Sequence, residues 1–275
     1  MARASSALLK RRLDIAEIVR KQGEVKVDEL AELLAVSGVT IRQDLTYLEQ
    51  QGYLKRSFGG AIYLTPEGTM ANTKIFVSVH NQSHYSTDEL DLVKQSLNYI
   101  QDGDTLLLSH GPLIRKLIPF LYSKKSLTLI LNDLVNAQLA KEFTSAQVLI
   151  IGGLLSSNNI VQDSNVMSFI LSQYSISRFI VLADGINYDN ELIINDLEHA
   201  NCYRQIIKQA KQTIAILPQI TICDESNSIG KLRDIDITIL SRPVLTQYHQ
   251  QLSDCSFKQI DSNKHGVIYQ NAREA

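Results

Sequence analysis

Six short apolar runs recur between residues 105 and 240, and they restrict the possible folds more than any other feature of the chain. Most of them are separated by stretches of helical length, such as Asp133–Phe143 and Asp196–Gln212. Strands that are apolar along their whole length are typical of parallel sheets covered by helices on both faces. The pattern therefore predicts an α/β domain with a mostly parallel sheet. The predicted strands are Thr105–Leu108, Leu127–Leu131, Val148–Ile151, Phe179–Leu182, Ile214–Leu217 and Ile235–Leu240.

The first part of the chain has a different pattern, in which apolar residues recur at helical spacing. A first helix is predicted to end at Gly23, and after a short extended segment a second helix follows. Ser37 is a suitable N-cap for a third helix, which Gly52 is expected to close. Two short strands, Tyr53–Arg56 and Ala61–Leu64, then form a hairpin. This order of helices and a basic hairpin predicts a winged helix-turn-helix.

A polar connection that begins at Thr65 separates the two patterns, with one short extended piece expected around Ile75–Val79. The predicted organisation is a winged helix-turn-helix DNA-binding domain over residues 1–64, a linker over 65–88, and an α/β sensor and oligomerisation domain over 89–275.

Composition excludes several classes of protein. The cysteines, Cys202, Cys223 and Cys255, are odd in number and lack metal-type spacing, so we expect no disulfide framework and no zinc site. We also predict no cofactor. No stretch reaches the ~20 apolar residues that a membrane span needs, so we expect a cytoplasmic protein without a membrane partner. The net charge of −2 gives little support for nucleic-acid binding by itself.

The third predicted helix has the residues that direct readout of DNA uses. If Ile41, Leu45 and Leu48 pack inward, the outer face consists of Thr40, Gln43, Thr46 and Tyr47, with Arg42 beside them. Such a helix enters the major groove with its N-terminal turn. Arginine pairs with guanine and glutamine with adenine, whereas cations of a hairpin meet phosphates. Asp44 is expected to pair with a nearby arginine instead of contacting DNA. The predicted DNA-binding residues are Ser37, Thr40, Arg42, Gln43, Tyr47, Lys55 and Arg56, and further phosphate contacts are expected from Arg3, Lys10, Arg11 and Arg12 ahead of the first helix.

Residues 11–62 resemble the winged helix of DeoR-type repressors of sugar operons. The run from Ser37 to Leu45 matches the family signature S-x-x-T-I-R-[RK]-D-L except at Gln43, where a basic residue is usual. Phe58 replaces a common histidine, and Lys26 stands where a serine or threonine usually caps the second helix. The resemblance implies double-stranded operator DNA as a partner, with an operator preference that differs from the usual one.

Residues from about 90 to 260 resemble the sensor domain of the same family, which is similar in fold to ribose-5-phosphate isomerase and binds phosphorylated sugars. Ligands of open α/β sheets bind beyond the carboxyl ends of the strands. At one such place in this chain, Pro112 can begin a helix whose free backbone amides can bind an anion. The predicted effector-binding residues are Ser109, His110, Gly111, Asn132, Gly152, Gly153, Asp184 and Gly185.

The second domain also departs from the family pattern. The usual hydroxyl-rich run is replaced by Ser109–Ile114, a Thr-Thr pair by Ile193-Ile194, and an Asp-Ser-Ser-Lys stretch by Pro218–Thr221. Most charge-assisted donors for a phosphate are therefore missing, which predicts a degenerate or altered phosphosugar pocket. On the helix that follows the Ile193-Ile194 pair, positions that are acidic or basic in the family are occupied by His199, Asn201 and Tyr203. The residues that could form a replacement anion site are His110, Arg115, Lys116 and Arg204.

These features predict a DNA-binding regulator that represses a carbohydrate-metabolism operon, forms a homo-oligomer, and responds to a phosphorylated sugar or another small anionic metabolite. One alternative is a regulator or activator that needs no effector. A less favoured alternative is a sugar-phosphate isomerase-like enzyme, for which Asp184 is the one plausible acid-base carboxylate. We predict no catalytic residues and no metal ligands.

Overall fold

The computed structural model describes residues 2–50, 53–63, 87–156, 159–218, 227–244 and 246–272. Contacts between residues group the chain into two compact units, one within residues 1–84 and the other within 85–275. Gly52, Leu64, the segment Ile75–Val79 and most of the predicted linker lie outside the described residues.

The first unit combines helices with a small antiparallel sheet of strand order β1-β3-β2. Its first helix ends at Gly23, as predicted, with φ of +80° and its amide bonded to the carbonyl of Val19 at 2.9 Å. The two hairpin strands are shorter than predicted. The elements are α1 Ala2–Gln22, β1 Glu24–Lys26, α2 Val27–Leu33, α3 Gly38–Gln50, β2 Lys55–Ser57 and β3 Gly60–Ile62.

One apolar core holds this unit together. Ile15 and Val19 of α1 meet Ile41 and Leu45 of α3, and each of these four side chains is at most 1% exposed. At Gly60 the wing crosses β1 so closely that an added Cβ would lie 2.2 Å from the carbonyl oxygen of Val25. No other residue fits there without displacing the backbone, so the wing's position is fixed by packing.

The second unit is an α/β domain, as the apolar runs predict. Its elements are α4 Thr87–Gln95, β4 Thr105–Leu108, α5 Pro112–Leu117, β5 Thr128–Leu131, α6 Leu134–Phe143, β6 Gln147–Ile150, β7 Leu154–Leu155, β8 Val161–Gln162, α7 Ser164–Gln173, β9 Arg178–Leu182, β10 Gly185–Ile186, β11 Glu191–Ile193, α8 Leu197–Gln209, β12 Thr213–Leu217, β13 Ser228–Lys231, β14 Ile237–Ser241, α9 Thr246–Asp254, β15 Phe257–Ser262 and β16 Gly266–Asn271, with 3-10 turns at Ser96–Tyr99, Ile118–Ser123 and Leu232–Asp234.

Its main sheet has eight strands among the described residues, in the order β15-β16-β14-β12-β9-β4-β5-β6. Neighbours from β14 to β6 are parallel, whereas β16 runs antiparallel to β14 and β15 antiparallel to β16. The central strand β12 is buried along its whole length. The predicted fold class, a helix-turn-helix unit followed by a mostly parallel α/β sheet, is therefore confirmed.

Three parts of this unit were not anticipated. The hairpin of β15 and β16 extends the main sheet at one edge, β10, β11 and β13 form a separate small antiparallel sheet, and β7 pairs with β8 in an antiparallel pair. Two helix starts agree with the predictions: Pro112 occupies the first turn of α5, and Asp133, where a helical stretch was predicted to begin, caps α6 with its carboxylate. Asp163 caps α7 in the same way.

Candidate functional site

Ser37 caps α3, as predicted. Its Oγ accepts a hydrogen bond from the amide of Thr40 at 3.2 Å, and the two hydroxyl oxygens are 2.9 Å apart. The cap satisfies one free amide of the first turn, and the positive end of the helix dipole lies at this N-terminus. The first turn of α3 is therefore ordered and suited to approach a polyanion.

The outer face of α3 is open and polar. Arg42 and Gln43 are exposed, and a shallow groove on this face is lined by Val39, Arg42, Gln43, Thr46 and Tyr47. The opposite face, with Ile41, Leu45 and Leu48, is completely buried. The helix thus separates an anchoring side from a side available to a partner.

Asp44 fixes the rotation of α3 against α1. Its carboxylate accepts hydrogen bonds from Nε of Arg11 at 2.6 Å and Nε of Arg12 at 2.9 Å, while its own side chain is 1% exposed. The Arg12 guanidinium also lies 3.6 Å from the ring centre of Tyr47. The prediction that Asp44 pairs with a nearby arginine is confirmed.

The basic residues near the N-terminus lie inside a helix, so their placement ahead of the first helix was wrong. α1 begins at Ala2 and includes Arg3, Lys10, Arg11 and Arg12. Arg11 and Arg12 are held by Asp44 because the buried carboxylate needs cationic partners. Their guanidinium groups are therefore held in ion pairs within the unit, and Lys10 is exposed on α1.

The wing brings further positive charge beside α3. Lys55 and Arg56 of β2 are exposed. Nη1 of Arg56 donates to Oγ1 of Thr46 at 3.0 Å, and its amide donates to Oε1 of Glu49 at 2.8 Å. Phe58 is fully exposed at the turn of the hairpin. The wing is thus attached to α3, and Lys55 extends the positive surface.

In the second unit, the predicted effector residues all follow four adjacent strands of the main sheet. Ser109–Gly111 follow β4, Asn132 follows β5, Gly152-Gly153 follow β6, and Asp184-Gly185 follow β9. Because parallel strands end at the same edge of a sheet, the topology brings these segments to one edge. This is the expected place for a small-molecule site.

The first two of these loops are braced by bonds within the chain. Oγ of Ser109 accepts from the amide of Leu182 at 3.1 Å and so joins β4 to β9. The amide of Gly111, where φ is +110°, points to Oδ2 of Asp133 at 3.4 Å. The amide that was expected to hold an anion therefore already faces a carboxylate of this chain.

The glycine loop and the β9 loop differ in accessibility. Gly152 and Gly153 are exposed after β6, whereas Gly185 is buried in β10. Asp184 is exposed, and its Oδ2 accepts from the amide of Asn195 at 2.7 Å. Asp184 therefore stabilises the turn between β11 and α8.

Two of the cations considered for a replacement anion site, Arg115 and Arg204, already have partners within the chain. Nη2 of Arg115 binds Oδ2 of Asp133 at 3.1 Å, and its Nε binds Oδ1 of Asn136 at 3.1 Å. Nε of Arg204 donates to the carbonyl of Ser228 at 2.7 Å. The positive charge of Arg115 is thus largely offset before any ligand binds.

Aromatic and imidazole side chains from α8 form a cluster with His110. The ring centres of His110 and His199 are 4.2 Å apart, and the hydroxyl of Tyr203 contacts Nδ1 of His110 at 2.9 Å. Nδ1 of His199 lies 2.7 Å from Oδ2 of Asp196. The sequence singled out His199 and Tyr203 as departures from the family pattern, but gave no sign that they meet His110.

This surrounding changes the acidity of three groups. Burial, followed by the neighbouring His199, lowers the pKa of His110 to about 4. Burial also raises the pKa of Tyr203 well above its ordinary value. At Asp196, burial raises the pKa, but the hydrogen bonds with His199 outweigh it and the net shift is downward. His110 is therefore neutral at neutral pH, and its ring offers a lone pair.

A small cavity lies beneath these loops. Its lining includes Asn132, Ile151, Asp163, His199, Cys202 and Tyr203.

None of the helices in the described part of the chain has the length and apolar character that crossing a bilayer requires.

Comparison with known proteins agrees with this organisation. A model of the DeoR-like helix-turn-helix domain matches residues 11–67, and a model of the DeoR C-terminal sensor domain matches residues 89–241. The lactose phosphotransferase system repressor of Staphylococcus epidermidis is 25% identical over 232 residues, covering 83% of this chain and 90% of the relative. The glycerol-3-phosphate regulon repressor of Escherichia coli is 26% identical over 254 residues, covering 88% and 96%.

Among solved structures, D-ribose-5-phosphate isomerase in complex with phospho-erythronic acid is similar at 13% identity and a TM-score of 0.38, covering 68% of this chain and 79% of that chain. The two family models lie on the two compact units and together span most of the sequence. The chain therefore belongs to the DeoR family of transcription regulators, with a DNA-binding helix-turn-helix unit in front of a sensor domain.

Proposed function

We propose that this regulator represses an operon of carbohydrate metabolism by inserting α3 into the major groove of its operator. The observation that carries the proposal is the exposed polar edge of α3, held in one orientation by the double contact of Asp44 with Arg11 and Arg12. The names of relatives support the class of target, since the lactose phosphotransferase system repressor is among them.

In this proposal the residues of the first unit divide their roles. Arg42 and Gln43 read base edges, because both are exposed on the groove face and their side chains make bidentate contacts with guanine and adenine. Ser37 and Thr40 contact the sugar-phosphate backbone near the start of α3, and Tyr47 contacts it from the third turn of the helix. Lys55 and Arg56 meet phosphates from the wing.

The second unit is proposed to act as a sensor and to assemble the protein, and not to catalyse a reaction. Ser109, Asn132 and Asp184 sit at the ligand-binding edge of the sheet, but Ser109 and Asp184 already make hydrogen bonds within the chain. Catalysis of sugar isomerisation would need an acid-base partner placed beside Asp184. The proposed effector is a small anionic metabolite that binds differently from the family's phosphorylated sugars, since Arg115 is paired with Asp133.

A homo-oligomer follows from the proposed mode of binding. One short recognition helix gives limited affinity, and paired half-sites one helical turn, ~34 Å, apart raise it. As an operator-binding repressor, the protein is proposed to act in the cytoplasm.

The test begins by footprinting the purified protein on the genome of its source, which yields the operator. Arg42→Ala is expected to weaken operator binding by about 1–3 kcal/mol, or roughly 5- to 150-fold, and to lower the preference for the operator over unrelated DNA. Lys55→Ala should weaken binding to both DNAs alike and reduce the salt dependence by about one charge.

The matched control is Arg233→Ala, which removes an exposed arginine of the second unit. Fluorescence anisotropy with labelled duplexes measures all three variants across salt concentrations. Operator affinity that stays unchanged in Arg42→Ala, or that falls equally in Arg233→Ala, would contradict the assigned role of α3.

A further inference from the structure

Three potential metal ligands meet at the carboxyl end of β4. His110 follows this strand, whereas Asp196 and His199 lie at the start of α8. One donor atom from each residue lies within 4.8 Å of the other two. The two imidazole rings are in contact, with their centres 4.2 Å apart and their planes inclined by 47°. Residues far apart in sequence are thus brought to one point by the fold.

The chemistry of this set suits a divalent transition metal. Imidazole nitrogen and carboxylate oxygen are ligands of Zn²⁺, and three protein ligands leave one position open for another donor. Tetrahedral bonds of about 2.0–2.1 Å place donor atoms roughly 3.4 Å apart. Oδ2 of Asp196 and Nδ1 of His199 are 2.7 Å apart, which is shorter than this spacing. The donor atoms of the three residues lie within 4.8 Å of one another, a limit that is longer than this spacing. Asp196 is 41% exposed, so its carboxylate can rotate to adjust these distances.

The ring of His110 is oriented by a hydrogen bond to Tyr203. The hydroxyl of Tyr203 lies 2.9 Å from Nδ1 of His110, and Tyr203 itself is buried. Metal-binding histidines generally use their second ring nitrogen for such a hydrogen bond, which fixes both tautomer and orientation. With Nδ1 engaged by Tyr203, Nε2 of His110 is the nitrogen left to coordinate an ion.

Helix capping explains only part of the arrangement. Oδ1 of Asp196 accepts from the amide of His199 at 3.2 Å, as a residue before a helix often does. Capping does not account for the second imidazole, from another segment, packed against the ring of His199.

We propose that His110, Asp196 and His199 bind one divalent transition-metal ion, with Zn²⁺ preferred, and that Tyr203 positions His110 for this role. The proposal goes beyond DNA recognition by the first unit, so its test does not depend on the proposed operator. The ion would also place positive charge at a sheet edge where Arg115 is already paired with Asp133.

The test uses untagged, full-length protein that has been reduced, treated with a chelator and then freed of it. Calorimetric titration with ZnCl₂ is expected to give one equivalent per chain. His199→Gln and Asp196→Asn should each weaken binding by more than about tenfold, and Tyr203→Phe by about tenfold with unchanged stoichiometry. Asp196→Asn keeps a capping residue before α8, so it separates ligand loss from unfolding. Circular dichroism verifies the fold of each variant.

His249→Gln is the matched control, because His249 is an exposed histidine whose Nδ1 also contacts a tyrosine hydroxyl, that of Tyr269. It should bind zinc like the unaltered protein. The absorption spectrum of the Co²⁺-loaded protein should indicate a low-symmetry site and should contain no charge-transfer band from a thiolate ligand. The proposal is overturned by any one of four results: no zinc binding, full binding by a folded Asp196→Asn/His199→Gln double variant, equal loss in His249→Gln, or a thiolate band.

Discussion

Replacing Asp44 by alanine is expected to loosen α3 from α1, and the size of the effect follows from the contacts. The carboxylate is 1% exposed and receives two charge-assisted hydrogen bonds, from Arg11 and Arg12, whose side chains are 21% and 19% exposed. Removing one partner of a fully buried ion pair costs about 3–5 kcal/mol. The arginines can regain water through their exposed parts, so we expect the lower end, about 3 kcal/mol, of the first unit's free energy of unfolding.

Hydrogen exchange followed by mass spectrometry can measure this loss unit by unit, which matters because the chain has no tryptophan to report on unfolding. A loss of about 3 kcal/mol corresponds to roughly 150-fold faster exchange of the protected amides of α3. The second unit should keep its exchange rates. Glu32→Ala removes an exposed carboxylate from α2 and serves as the control.

A double-mutant cycle sharpens the test. If the arginines matter through Asp44, Arg11→Ala should cost much less in the Asp44→Ala background than in the unaltered protein, with a coupling of about 1–3 kcal/mol. Exchange in α3 that is unchanged by Asp44→Ala, or losses that simply add, would refute the reasoning that this carboxylate sets the rotation of the helix.

Three further predictions concern packing, capping and pH. Gly60→Ala should destabilise the first unit by about 1–3 kcal/mol in thermal denaturation, because the new Cβ would meet the carbonyl oxygen of Val25 at 2.2 Å. Ser37→Ala should cost about 1 kcal/mol in the same assay through loss of the cap on α3. In chelator-treated protein, the depressed pKa of His110, about 4 against an ordinary 6.5, means that the unfolded chain binds the proton more readily. Stability is therefore complete above pH 6.5 and falls as the pH drops toward 4, by at most about 3 kcal/mol, as denaturation at several pH values can measure.

The packing and pH predictions each have a control in the same chain. Gly38→Ala also adds a Cβ, but its nearest neighbour would be a side-chain atom of Val27 at an ordinary 3.5 Å, so no loss of stability is expected. His110→Gln should remove the part of the pH dependence assigned to His110. A Gly60→Ala or Ser37→Ala variant of unchanged thermal stability would contradict the structural argument for that residue. A pH profile of stability that His110→Gln does not alter would contradict the argument for His110.

Much of the fold could be predicted because burial leaves a direct mark on composition. β4 coincides with its predicted run Thr105–Leu108, and β12 begins one residue before Ile214, because both strands are buried among other strands and so consist of apolar residues. In β15 only Phe257 is buried, and the strand pairs along one edge alone. A strand of that kind has no apolar run, and the prediction therefore missed it.

The features of the candidate site also differ in whether the sequence could predict them. The N-cap of α3 depends on residues close in sequence, and periodicity places Asp44 beside Leu45 on the buried face of α3, although its partners Arg11 and Arg12 lie on another helix. The meeting of His110 with His199 depends on which strands are neighbours, and β4 pairs with β9 only in the folded sheet. Spacing along the chain has no information about such a contact.

The central claim, that the outer face of α3 lies in the major groove, is tested most directly by the reactivity of guanine N7 in the bound operator. This atom is exposed in the major groove and is the acceptor that arginine contacts in direct readout. Dimethyl sulfate footprinting should show protected guanines in the half-sites, and Arg42→Ala should restore the reactivity of particular ones at protein concentrations that saturate the DNA. Full N7 reactivity throughout an operator saturated with the unaltered protein would contradict the account.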